Sequence, residues 1–194
     1  MSSHPNLLLL CLDLQPVFLK AMHASDALQR RCAFALQAAA GLGLDILFTE
    51  QVPEKLGPTT PELLSLLPSP VTLPKTTFSV FANDSIRSAI ESRRIEHLLL
   101  CGLETPVCVY QTTLDARAAG LEVTLLSDCL GARRPDDART CLDALVRAGA
   151  HVLPSETVFY SLLRDVHHPF FRPFTQLVKQ HATPTPPREV SPIG

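Results

Sequence analysis

The sequence has no excess of one charge to spend. Its 194 residues carry 17 Lys and Arg against 19 Asp and Glu, a net charge of −2, so no general field draws the chain to a polyanion. Neither nucleic acid nor an anionic membrane is the expected partner. The adjacent Arg133 and Arg134 are a local basic spot and read as a solvated face. No apolar run reaches the length of a membrane span. The first, Leu7 to Leu12, is stopped by Asp13 and has no basic leader, so it reads as a strand and not as a signal peptide or membrane helix. No C-x-x-C occurs among the six cysteines, at positions 11, 32, 101, 108, 129 and 141, and Cys11 and Cys101 fall inside apolar runs. That argues against a disulfide framework or a structural zinc site, and for reduced thiols in an intracellular, cytoplasmic setting. No internal repeat and no interdomain linker is visible, and 46% apolar residues suffice for one domain with a complete core.

What is present alternates between two periodicities. Strands are expected at Asn6–Leu12, Leu44–Thr49, Val71–Leu73, His97–Cys101, Leu121–Leu126 and His151–Leu153. Between them, a helical pattern runs from Val17 to Ala40 and exits at Gly41-Leu42-Gly43. A short helix fits Pro61–Leu67, Asn83 or Asp84 caps one running to Arg93, and another covers Pro135–Ala148. The segment from Glu50 to Pro61, rich in Pro, Gly and Thr, is a loop, and His167-His168-Pro169 is a turn before the last helix. Strands alternating with helices predict an α/β single domain, a six-stranded, mainly parallel sheet flanked by helices on both faces. The domain takes residues 1–181; the proline-rich 182–194 is expected to be a disordered tail.

Ligands of such sheets bind beyond the carboxyl ends of the strands, where the strand order reverses. Asp13 directly follows the first strand and the Gly102–Cys108 turn follows the fourth. If those strands are neighbours, carboxylate and thiol converge. Asp13 is either a cap for nearby backbone or a general base for which Cys108 supplies the proton. Lys75, between Pro74 and the apolar, aromatic stretch to Phe81, is either a surface side chain or an inward charge that holds Asp13 and Cys108 ionised. Cys108 stands apart from the other cysteines because Gly102 breaks a buried strand and Thr105-Pro106 starts a helix. The positive end of that helix favours a thiolate, so a depressed thiol pKa is expected. Backbone N–H groups at Glu104 and Cys108 suit an oxyanion hole. Glu50 is expected to face the pocket, and Phe78 and Phe81 form either a pocket wall or core. No metal role is assigned to the histidines.

Three segments in this order resemble the isochorismatase-like cysteine hydrolases, a superfamily that includes nicotinamidases and N-carbamoylsarcosine amidohydrolase. They are LCLDLQPVF with Asp13, Lys75-x-x-Phe78, and Gly102-x-x-Thr105-x-x-Cys108-Val109, with Asp115-Ala116 and Gly120 downstream. The resemblance spans Leu7 to Leu163 and implies a Rossmann-like three-layer fold. It also implies an Asp-Lys-Cys triad of Asp13, Lys75 and Cys108, a cis peptide between Leu103 and Glu104, no cofactor, and a homo-oligomer acting on a small-molecule substrate. Glu50, Phe78 and Thr105 are the residues expected to touch the substrate pocket. Metal-binding nicotinamidases carry Asp-x-His after the second strand. This chain has Thr49-Glu50-Gln51 there, so no metal is expected, and the segment LFTEQVPEKLGPTTPEL is most similar to the isochorismatase domain-containing proteins of eukaryotes.

The leading expectation is therefore a metal-independent hydrolase of a carbon–nitrogen bond. A catalytically silent oligomeric scaffold is the alternative, and a hydrolase of nucleic acid is disfavoured by the charge.

Overall fold

A computed structural model of the chain describes residues 4, 6–22 and 24–182. The expected tail lies, from residue 183 onward, outside the described residues. Six strands pair in parallel in the order β3-β2-β1-β4-β5-β6.

The first strand, β1 (Leu7–Leu12), runs up the centre of the sheet. Alternation of side chains sends Leu8, Leu10 and Leu12 into one apolar layer and Leu9 and Cys11 into the other. A strand covered on both faces has no polar side to show, which is why this one reads as a continuous apolar run. Next come α1 (Pro16–Leu19) and α2 (Ser25–Gly41). The single helix expected over Val17–Ala40 is thus two, separated by a turn in which Ala24 adopts φ 54°. The next strand, β2 (Asp45–Gln51), leads through two short helices, α3 (Pro53–Leu56) and α4 (Pro61–Leu64), to the edge strand β3 (Thr72–Lys75). β3 begins and ends later than expected and contains Pro74, which an edge strand tolerates because one side of its ladder is unpaired.

A 3-10 turn at Val80–Ala82 precedes α5 (Asp84–Glu91), capped by Asn83, whose carboxamide oxygen accepts the N–H groups of Ser85 and Ile86 at 3.1 Å each. The strand β4 (His97–Gly102) is followed by a π-helical turn, Thr105–Val109, which passes into α6 (Tyr110–Ala118). The remaining elements are β5 (Glu122–Leu130), α7 (Pro135–Arg147), β6 (His151–Leu153), α8 (Ser155–Leu163) and α9 (Phe171–Gln180). The layer around Leu9 and Cys11 takes side chains from α2, α8 and α9; the layer around Leu8, Leu10 and Leu12 takes them from α5, α6 and α7. Among the described residues no helix is long and apolar enough to cross a membrane.

The pairing of β1 with β4 is the one that positions the site. Leu12 lies opposite Gly102, and the Leu103 N–H donates to the Leu12 carbonyl at 2.8 Å. Gly102 adopts φ +113°, and a Cβ built there would stand 2.1 Å from the Leu12 carbonyl oxygen. Only glycine lets the two chains cross this closely.

Candidate active site

Strand order reverses between β1 and β4, and the segments leaving their carboxyl ends carry Asp13 and the Leu103–Cys108 turn. Asp13 departs from its strand with φ 52° while its N–H still donates to the Thr49 carbonyl at 3.1 Å. Its carboxylate has two buried partners. Thr49 Oγ1 donates to Oδ1 at 2.9 Å and Lys75 Nζ donates to Oδ2 at 2.7 Å.

Lys75 ends β3, which reaches this point through β2, where it lies opposite Gln51. The lysine side chain is fully buried. Its ammonium also donates to Gln51 Oε1, to the Thr77 carbonyl at 3.2 Å and to Cys108 Sγ at 3.6 Å. An ammonium withdrawn from water needs such a set of acceptors, since burying it unpaired would neutralise it. Gln51 is itself held in place: its Nε2 donates to the Thr76 carbonyl at 3.0 Å and its N–H donates to Gln15 Oε1 at 2.7 Å.

Cys108 is buried in the π-helical turn. Burial pushes its thiol up to about 12, the neighbouring Asp13 charge adds to the rise, and Lys75 and a hydrogen bond with the Glu104 backbone only partly oppose it. The depressed pKa expected from a helix start is therefore not what this environment produces; desolvation outweighs the dipole. Burial likewise raises Asp13, against the charge and hydrogen bond of Lys75 and the hydrogen bonds of Cys108 and Thr49. Thr105 opens the helical turn as expected, and no side chain caps it. Thr105 Oγ1 and N–H both donate to the Gly131 carbonyl, at 2.9 Å each, tying the turn to the end of β5.

The peptide between Leu103 and Glu104 is cis. The N–H groups of Thr105, Val107 and Val109 are spent on the Gly131 and Glu104 carbonyls. Above Asp13 and Cys108 opens a cavity of about 450 Å³, walled by Phe18, Met22, Phe78, Leu103 and Val107. Glu104 and Arg133 also line it, with Arg133 Nε at 2.9 Å from Glu104 Oε2.

Of the residues singled out from the sequence, Asp13, Lys75, Cys108, Leu103, Glu104 and Phe78 meet at this cavity or its floor. Glu50 and Thr105 do not line it. Glu50 accepts the Thr59 N–H at 2.8 Å, on the opposite face of β2 from Thr49 and Gln51, and Thr105 borders a separate cavity near Leu142. Phe81 is core. The sequence reading missed Thr49, Gln51 and Gln15, polar residues at the ends of apolar strands, and the part played by Arg133. Among the described residues no cluster of His, Cys, Asp and Glu is placed to hold a metal ion.

Comparison with known proteins bears on the family and the fold. Residues 7–157 match the isochorismatase domain family. Isochorismatase domain-containing protein 2A of Mus musculus is 34% identical over 176 residues, which cover 90% of this chain and 83% of that protein. Among solved structures, one reported as MAR1 ribonuclease from Caenorhabditis elegans is 28% identical with a TM-score of 0.83, covering 98% of this chain and 96% of that one. YcaC from Pseudomonas aeruginosa, solved with hexane-2,5-diol and covalent acrylamide, is 21% identical with a TM-score of 0.87, covering 94% and 91%. YcaC from Escherichia coli, reported as an octameric hydrolase of unknown specificity, is 20% identical with a TM-score of 0.87, covering 94% and 90%. A parallel sheet in this strand order, the segments read from the sequence, and matches over most of the chain lead to one assignment: the protein belongs to the isochorismatase family.

Proposed function

We propose that the protein is a metal-independent cysteine hydrolase that cleaves the carbon–nitrogen bond of a small amide, with Cys108 as nucleophile, Asp13 as base and Lys75 as their shared counter-charge. The observation that carries this reading is the Lys75 ammonium, buried and bridging Asp13 Oδ2 at 2.7 Å and Cys108 Sγ at 3.6 Å on the floor of a cavity. The end of β2 offers no free metal donors: Thr49 serves Asp13, Gln51 serves Lys75, and Glu50 is spent on backbone.

Asp13 takes the proton from Sγ, and sulfur forms a bond to the carbonyl carbon. The carbonyl electron pair moves to oxygen, where the N–H groups of Glu104 and Cys108 receive it. The oxyanion collapses, the carbon–nitrogen bond breaks, and Asp13 returns the proton to the departing nitrogen, so ammonia leaves and a thioester remains. Water then attacks the thioester carbon as Asp13 accepts its proton. Collapse releases the carboxylic acid, and the proton goes back to sulfur.

The test is ammonia release from a panel of primary amides, with mass spectrometry of the protein quenched in acid. Wild type should release ammonia and carry a transient acyl group on Cys108, and Cys108→Ala and Asp13→Asn should do neither. Equal release from Cys108→Ala, or none from wild type on any amide, refutes the reading. The octamer of Escherichia coli YcaC supports a homo-oligomer here.

A ribonuclease reading draws on the Caenorhabditis elegans relative. Cys108-dependent cleavage of RNA with a steep salt dependence would favour it; the near-neutral chain gives phosphates little to hold.

A further inference from the structure

The cavity over Cys108 contains charges of both signs, and each is already matched. On the floor, Lys75 pairs with Asp13 at 2.7 Å. At the rim, Glu104 holds Arg133 through Nε at 2.9 and 3.1 Å and through its backbone N–H at 3.2 Å. The rim pair is open to solvent on the arginine side, with the Arg133 side chain 59% and that of Glu104 17% exposed. It joins the turn that carries Cys108 to the segment between β5 and α7, and the Glu104 carboxylate is held at two sites on one residue. Between the two pairs the wall is hydrocarbon, chiefly Phe18, Met22, Leu103 and Val107, with the half-exposed Phe78 at the mouth.

A charged substituent entering this space gives up its water and finds no unpaired opposite charge. At the rim a carboxylate meets Glu104 beside Arg133, and an ammonium meets Arg133 beside Glu104. An uncharged apolar substituent loses nothing polar and covers the wall. At about 450 Å³ the cavity is at the small end of small-molecule sites, which run from about 300 to 1,000 Å³.

We infer that the site selects compact, uncharged primary amides with an apolar acyl group, and that the Glu104–Arg133 pair is the charge filter that makes it so. The inference rests on the amidase reading above and names the substrate class of that same site. If the pair is the filter, removing one member at a time exposes the other, and the two removals must bias the site in opposite directions. At the intermediate dielectric of a half-open rim, one unmatched charge changes affinity for a charged substituent about tenfold.

The experiment uses three small amides of similar size: isobutyramide (neutral), malonamate (anionic) and glycinamide (cationic). Each is measured twice, by kcat/KM for ammonia release and by binding to the full-length Cys108→Ala protein using ligand-observed NMR. Wild type should favour isobutyramide about tenfold or more over either charged amide. Arg133→Gln should shift the ratio of glycinamide to malonamate upward about tenfold, and Glu104→Gln should shift it downward by a similar factor. A wild-type preference for a charged amide, a ratio unmoved by both variants or moved the same way by both, or no binding of isobutyramide to Cys108→Ala overturns the inference. Binding in the expected order without ammonia release from wild type leaves the filter standing and refutes the hydrolase reading; release without neutral preference does the reverse.

Discussion

Replacing Lys75 by Met removes a charge and little volume. The Lys75 side chain is fully buried and that of Asp13 is 2% exposed, so after the substitution the carboxylate keeps Thr49 but loses its counter-ion with no water to replace it. Breaking a buried ion pair from one side costs roughly 3–5 kcal/mol. The unanswered acceptors on Gln51 and Thr77 keep the cost toward the upper end.

That cost should depend on pH in a way that packing damage would not. Burial raises Asp13 even with Lys75 present, and the lysine contributes two of the effects that hold it down. Without it the carboxyl pKa climbs further. A carboxyl whose folded-state pKa lies above its unfolded value of about 3.9 stabilises the fold while protonated, and that contribution is lost as pH rises through the folded value. The gap between wild type and Lys75→Met should therefore be small near pH 4 and widen by up to about 1.4 kcal/mol per pH unit until Asp13 ionises in the variant. Urea unfolding followed by circular dichroism at pH 5 and pH 8 reads it directly. Adding Asp13→Asn to Lys75→Met should restore much of the loss at pH 8. A gap equal at both pH values, or a double variant no more stable than the single one, would refute the claim that the pair's charge is what matters.

The raised thiols have a parallel consequence. Cys108 at about 12, with Cys11, Cys32, Cys101 and Cys129 also raised, holds protons in the folded state that the unfolded chain gives up near pH 9, so stability should fall as pH climbs from 9. Cys108→Ser should flatten that fall by up to about 1.4 kcal/mol per pH unit in alkaline urea titrations, and an unchanged slope would contradict the raised thiol. Gly102→Ala should cost more than about 4 kcal/mol or prevent folding, because its Cβ would meet Leu12 backbone at 2.1 Å; Gly120→Ala, also at positive φ but with nothing within 4 Å, should cost only about 1–2 kcal/mol in the same thermal melts. Similar losses at the two positions would show that backbone conformation and not the close approach decides. Arg31 binds Asp128 at 2.8 Å and Ser155 Oγ at 2.7 Å. Burial pushes Asp128 up, but hydrogen bonds from Ser155 and the Arg31 charge hold it below the ordinary carboxylate value, so this stability is lost as the solution is acidified. Arg31→Met should cost about 2–3 kcal/mol at pH 7, less below pH 3, and a loss unaffected by acid would assign it to packing alone.

Much of this was legible because strands buried on both faces advertise themselves. The runs that became β1 and β4 are apolar throughout, and the residues that end them, Asp13 and Gly102, mark where they surface. What the run of residues does not encode is which strands touch. Asp13 and Cys108 meet only because β4 pairs with β1, and Lys75 joins them only because β3 pairs with β2 so that Lys75 lies opposite Gln51. Strand parity was available and would have corrected one choice: Thr49 and Gln51 share a face of β2, so Glu50 had to point the other way. The split of the first helix at Ala24 had no such signal, since alanine is an unlikely residue for the left-handed conformation it adopts there.

The largest difference between sequence and structure concerns the proton on Cys108, and it bears on how the site can work. A cysteine at a helix start suggests a thiolate formed in advance, but here the sulfur lies in a buried turn beside an anion that Lys75 already balances. One cation cannot neutralise two anions, so the site at rest holds one negative charge among Asp13 and Cys108, and the proton stays on sulfur. A thiol held protonated in this way would be activated by what binds beside it and not in advance. On the hydrolase reading proposed above, an amide carbonyl seated against the Glu104 and Cys108 N–H groups would supply a place for the negative charge to go. The charge leaving sulfur would then move to that oxygen as Asp13 takes the proton, Lys75 would face a neutral acid, and the net charge around the ammonium would never exceed the one it can hold.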